Sequence, residues 1–300
     1  MKSPENHNQF DDVHLTGDFA SHLKPEDIVD VQQKLVASGG EKIKDLEVTK
    51  TIIESNIIDF VRNEAEKIAR SYAKEFVFDV PDKNIHVMQR DGVRKVTRNI
   101  LAVARPSRRQ IFIDRSESTL EFAVGLFHEF MHTLAYNTIT LDAYANKRVF
   151  ADSSQSGFLK FSPQNESMHH FELFEEGLVG YLTHKFYTQV ASKHELFKDD
   201  TFAVAKLEHS ISVGREEEVN LVQQLVNFIW NKHHEQFYAP DDVWEVFLKA
   251  RFSGDIEPAR LLVEQTFGKG SFEKVGEADM GFFRDYIRKH NQDVRRGYAD

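Results

Sequence analysis

Between Val48 and Lys74 the apolar residues Ile52, Ile53, Ile57, Phe60, Val61, Ala65, Ile68, Ala69 and Tyr72 recur three and four apart. That spacing predicts a long helix with one buried face. Ahead of it, residues 1–24 are polar and carry no period, so they are expected to lie loose over the body. Pro25 opens a shorter helical pattern, with Ile28, Val29, Leu35 and Val36 as its stripe and Gly39-Gly40 as its stop. Beyond residue 74 the texture changes. Ile85-His86-Val87-Met88, residues 99–104 and Gln110-Ile111-Phe112-Ile113 are short β-rich runs, with Asp91-Gly92 as a turn signal and Pro106 as a break. They predict a small, mostly antiparallel sheet.

Ser118-Thr119-Leu120-Glu121 has the form of a capping box, so a helix is expected from there to about Tyr136, with Asn137 as a left-handed stop. Residues 138–170 lack a period, and a long irregular insert of this kind suits a lid or binding loop. A second helix is expected over about Phe171 to Val190. Others should lie near 215–236, 241–252, 256–267 and 279–290, with Pro240, Gly254 and Gly268 among the breaks. The order predicts an α+β fold with a largely helical C-terminal half. It divides into a loose segment 1–24, a region 25–137 of helices and sheet, and a region 138–300, the last two sharing one site.

Composition narrows the function. Of 300 residues, 38 are Lys or Arg and 48 Asp or Glu, a net charge of −10, which argues against nucleic acid or an anionic membrane as partner. There is no cysteine, so any metal must be held by His, Asp or Glu, and cysteine nucleophiles are excluded. No apolar run follows Lys2 and no stretch nears 18 apolar residues, so a cytoplasmic address is expected.

The informative segment is Phe127-His128-Glu129-Phe130-Met131-His132. On a helix, His128 and His132 stand one turn apart on one face, a spacing that lets two imidazoles grip one ion. Glu129 is rotated about a quarter turn from His128, which suits a base acting on water rather than a ligand. This is the HExxH arrangement of zinc peptidases. Phe122, Val124, Leu126, Phe127, Met131, Leu134 and Ala135 make the helix apolar nearly all round. Two histidines and a glutamate buried there need partners. The bland alternative is a pair of core or solvated histidines.

Three protein ligands plus an open position is the usual catalytic set. Ala135 and Thr138 stand where the extended metzincin form has Gly and His. The next helix offers Glu172, Glu175 and Glu176 in an apolar stretch, with Gly177 and Gly180 pointing to close helix packing. Residues Glu175-Glu176-Gly177-Leu178-Val179-Gly180-Tyr181-Leu182-Thr183 resemble the glutamate helix of the gluzincin metallopeptidases, and the resemblance spans about residues 110–190. It implies a zincin-like fold, one Zn²⁺ on His128, His132 and Glu176, Glu129 as general base, and a peptide or protein substrate. Glu172, one turn earlier, is the alternative ligand. Family members often carry an acid four residues after the ligand glutamate to steady a histidine. That position here is Gly180, which leaves Glu172, Glu175 and Asp142 as substitutes. For the oxyanion, Tyr181 is the first choice, with Tyr144, His169, His170 and His184 also within chain reach. The run Gln110–Ile113 is expected to present a sheet edge to an extended peptide. Competing readings are an inactive zinc-binding scaffold or interaction module, a helical interaction protein with an accidental motif, and a related hydrolase acting on another bond.

Overall fold

The computed structural model describes residues 13–16, 45–73, 80–97, 101–106, 109–143, 149–161, 169–277 and 284–289, with the side chains of 13–16, 96–97, 139–143, 149–154, 161, 169 and 201–214 left aside. The helix expected from Pro25 to Gly40 lies outside these residues. The fold is α+β. Its elements run β1 (Val13–Thr16), α1 (Ile52–Tyr72), β2 (Ile85–Met88), α2 (Gly92–Thr97), β3 (Ala102–Arg105), β4 (Gln110–Asp114), α3 (Thr119–Thr133), β5 (Asn137–Ala143), β6 (Val149–Ser156), β7 (Leu159–Phe161) and β8 (His169–His170). Helices α4 (Glu172–Gln189), α5 (Thr201–Lys232), α6 (Pro240–Ser253), α7 (Glu257–Phe267) and α8 (Ser271–Glu277) follow.

The small, mostly antiparallel sheet expected from the three runs within 85–113 is one mixed sheet, and the chain forms a second sheet besides. The first has the order β2-β4-β3, with β2 and β4 parallel and β3 antiparallel to β4. Asp91, at φ 60, starts no hairpin; it leads into α2, and the chain crosses over before β3 and β4 form the antiparallel pair. Parallel neighbours need such a crossover, and a turn signal read locally does not reveal it. The other sheet runs β1-β5-β6-β7-β8. Much of the supposed irregular insert is therefore strand, and Val13–Thr16, in the segment expected to be loose, pairs in parallel with β5. More than half of β5 is polar, and the second half of β6, Asp152 to Ser156, has no apolar residue, which hid both from a hydrophobic pattern.

Ile111 and Ile113 of β4 face a core with Ile57, Val61 and Ala65 of α1 and Phe127, Phe130 and Met131 of α3. Helix α3 is thus sandwiched between α1 and the sheet on one side and α4 on the other, where Phe127 stacks on Phe186 at 4.1 Å. Its N-terminus is capped by Ser118, whose hydroxyl oxygen accepts the Glu121 amide at 3.0 Å. Glu121 does not complete the box, since its carboxylate takes the Ser116 hydroxyl. Asp200 supplies the rest, accepting from the Ser118 and Thr119 hydroxyls and the Leu120 amide. At the other end Asn137 is not left-handed. It begins β5, and its side-chain amide donates to the Ala135 and Thr133 carbonyls, satisfying the open end of the helix.

Close packing at Gly177 and Gly180 is present. A Cβ on Gly177 would stand 2.5 Å from Val222 and 2.8 Å from the Glu218 carbonyl, and one on Gly180 would stand 2.5 Å from Val219. Helix α4 thus meets the backbone of α5 at Gly177 and its side chains at Gly180. No helix among the described residues is long and apolar enough to cross a membrane.

Candidate metal centre

His128 and His132 project from one face of α3, and Glu176 faces them from α4. The two imidazole Nε2 atoms lie 3.2 Å apart. His128 Nε2 is 3.4 Å from Glu176 Oε2, and His132 Nε2 is 3.5 Å from Glu176 Oε1. Two donors each about 2.0–2.1 Å from an ion at the tetrahedral angle stand about 3.3 Å apart. The imidazole–imidazole distance matches that spacing, and one oxygen of the Glu176 carboxylate faces each imidazole, so the three side chains converge on one space, with one ligand atom of each within 4.8 Å of the others. Among the described residues this is the one group of three or more His, Asp or Glu side chains able to share an ion.

The outer nitrogens face other neighbours. Thr183, seven residues beyond Glu176 on the same face of α4, donates its hydroxyl proton to the Val179 carbonyl at 2.8 Å. Its oxygen, 3.4 Å from His128 Nδ1, is left as an acceptor. The Nδ1 of His132 lies 3.9 Å from Glu175 Oε1. Protons placed on both Nδ1 atoms leave both Nε2 lone pairs pointing at Glu176 and at each other. Glu176 Oε2 is buried and makes no hydrogen bond, although the Arg215 guanidinium of α5 lies 3.3 Å away. An orphaned carboxylate oxygen beside two converging imidazole lone pairs is a donor set that fits a divalent cation.

Charge follows the geometry. Burial opposes ionisation of Glu176, but His132 and His128 outweigh it and hold the carboxyl well below the ordinary range. Burial opposes protonation of His132, yet Glu176, then Glu129 and Glu175, raise its pKa. Glu129, 8% exposed, is pushed up by burial; the two imidazoles and an Ala104 amide bond pull the other way. Ala104 belongs to β3, so the glutamate of the HExxH segment leans on a strand at the rim of its sheet.

Glu172 is exposed and takes no part in the cluster. Tyr181 sits about 140° round α4 from Glu176 by helix geometry. Its hydroxyl lies 3.5 Å from Asp241 and its ring stacks on Trp244 at 3.9 Å, which ties it to α6 rather than to the imidazoles. His184 is exposed, and His170 pairs through β8 with β7. Tyr144 and the side chains of Asp142 and His169 lie outside the described residues. The expected edge at Gln110–Ile113 is displaced, because β4 is the central strand, and β2 is bordered in turn by Leu46 and Val48. The rim is β3.

Sequence reasoning missed three residues. Arg251 of α6 is fully buried and donates from Nε to Glu175 Oε1 at 2.8 Å. Arg215 reaches Glu176, and Thr183 reaches His128. Only Thr183 left a local trace, its two-turn spacing from Glu176. Comparison of the chain with protein-family models, curated proteins and solved structures finds no match.

Proposed function

We propose that His128, His132 and Glu176 hold one divalent cation, zinc on the evidence of an N, N, O donor set, and that the chain is a zincin-like, gluzincin-type peptidase. The observation that carries this is the convergence of the two imidazole Nε2 atoms, 3.2 Å apart, on the Glu176 carboxylate, whose Oε2 and Oε1 stand 3.4 and 3.5 Å from His128 and His132. Such an ion supplies Lewis acidity, lowering the pKa of a water towards neutrality and polarising a carbonyl.

The chain's own residues do the remainder. Glu129 accepts the proton of the attacking water and hands it to the departing amine. Its buried setting, which raises its affinity for a proton, suits both halves of that transfer. Thr183 keeps His128 in the tautomer that ligates. Strand β3 offers an extended peptide a rim to pair with, and the Ala104 amide contact sets that rim beside Glu129. Tyr181 is given no role in the reaction.

Elemental analysis of the purified protein should find about one zinc per chain, and the zinc-loaded protein should cleave members of a broad peptide library. Glu129→Gln should keep the metal and lose about 10²–10⁴-fold in kcat/KM. Absence of stoichiometric metal removes the reading altogether. Metal without turnover, or a Glu129→Gln protein as active as its parent, leaves a zinc-holding scaffold in place of an enzyme.

A further inference from the structure

We propose that Glu175, locked by Arg251, is the positioning residue that fixes His132 as an Nε2 ligand, in place of the acid that Gly180 lacks. The inference rests on the metal-centre reading above.

Glu175 is 1% exposed and Arg251 is fully buried. Arg251 Nε and Nη2 both reach Glu175 Oε1, at 2.8 and 2.7 Å, and the Phe158 amide donates to Glu175 Oε2 at 3.0 Å. Gly157, at φ +59, makes room for this carboxylate: a Cβ there would stand 2.6 Å from Oε2. The glycine turn, the arginine and the glutamate thus form one fitted unit contributed by the β6–β7 turn, α6 and α4.

Two contacts aim that unit at His132. Glu175 Oε1 faces His132 Nδ1 at 3.9 Å, too long for a direct hydrogen bond and short enough for the carboxylate charge to favour an Nδ1 proton. Arg251 Nη2 also donates to the Met131 carbonyl at 2.7 Å, the peptide group joined to His132 itself. One guanidinium therefore ties the backbone that carries the imidazole to the carboxylate that orients it. Ser156 adds a 3.4 Å contact to the His132 carbonyl. A core ion pair present only for packing has no need to reach both the ring and the backbone of one ligand. Partners of this kind typically change metal affinity 10–100-fold.

The test separates positioning from packing. Removing one charge alone leaves the other buried and unpaired, so the pair is replaced together as Glu175→Gln with Arg251→Met, which leaves no buried charge unpaired while the glutamine oxygen still accepts the Phe158 amide. The double variant should unfold, metal-free, within a few degrees of its parent, yet bind zinc about 10–100-fold more weakly in chelator competition. Affinity within twofold of the parent would overturn the proposal. Should the double variant not fold, nitrogen-15 spectra of the zinc-loaded parent decide. His132 should be bound through Nε2 with a slowly exchanging Nδ1 proton. A rapidly exchanging proton, or ligation through Nδ1, overturns it. A parent that takes up no zinc in the same titration overturns the metal centre as well, which distinguishes that failure from a lost positioning effect alone.

Discussion

His128 and His132 carry the same side chain one turn apart, yet their outer nitrogens meet different neighbours: a hydroxyl oxygen on one, a buried carboxylate on the other. A neutral acceptor steadies an imidazole without adding charge, whereas a carboxylate makes its partner the stronger donor. Glu176 is held between them, its carboxyl kept ionised by the pair. On the proposed reading its loss removes one of three donors, so Glu176→Ala should weaken zinc retention by more than about 100-fold, beyond what loss of an outer partner does. Glu172→Ala, at an exposed position on the same helix, should stay within about twofold. Competition with a chromophoric chelator measures both, and equal losses would contradict the ligand assignment. The placing of His128, Glu129 and His132 was legible because it depends only on a spacing of four along one helix. Arg251 was not legible: its bond to Glu175 spans 76 residues, and an arginine in a helical pattern reads as a solvated charge.

The geometry between α3 and α4 depends on where α5 lets α4 lie. Gly177 follows Glu176 directly and packs on the backbone of α5. An added methyl would stand 2.8 Å from the Glu218 carbonyl and 2.5 Å from Val222. A backbone atom cannot swing aside as the end of a long side chain can. Gly177→Ala should therefore cost about 1–3 kcal/mol in urea unfolding of the metal-free protein, even though alanine favours helix over glycine. It should also reduce zinc affinity by displacing Glu176. A neutral or stabilising outcome would show that α4 and α5 slide apart without strain. Helices α1, α3, α4 and α6 were legible to within a few residues, α1 by a stripe at helical period and α3 and α4 by long apolar runs of helix length. Strands β5 and β6 were not. They are long and polar, and pairing between strands, rather than their own apolar content, defines them. The parallel pairing of β2 with β4 was hidden for the same reason, because the sequence between them shows a turn signal but not the direction in which the chain returns.

Across the molecule, the layers that position α3 are joined by a few charged contacts, which makes its acid stability traceable. Glu54 closes the N-terminus of α1 by a reciprocal box with Thr51, and the same carboxylate takes two bonds from Arg115, at 2.6 and 2.9 Å, in the segment that leads into α3. Arg115 also donates to the Thr49 carbonyl. Burial tends to raise the pKa of Glu54, but the bonds from Arg115 and Thr51 outweigh it and the carboxyl titrates below its ordinary value. Its folded pKa thus lies below its unfolded one. The stabilisation is complete above the unfolded value of about 4.5 and fades as pH falls through the lower, folded value. Because Arg115 is partly exposed, the ion pair and cap together should contribute about 1–2 kcal/mol at neutral pH. A glutamine at 54 still accepts the Thr51 amide, so urea unfolding of the parent and of Glu54→Gln should differ by the ion-pair share alone, about 0.5–1 kcal/mol near pH 7, and the difference should shrink steadily below about pH 4.5. Comparing the two proteins at each pH largely cancels the self-repulsion of a chain with net charge −10, which acts on both. A difference that persisted unchanged into strong acid would assign the effect to the packing of the side chain, and the link from α1 to the segment before α3 would then not depend on its charge.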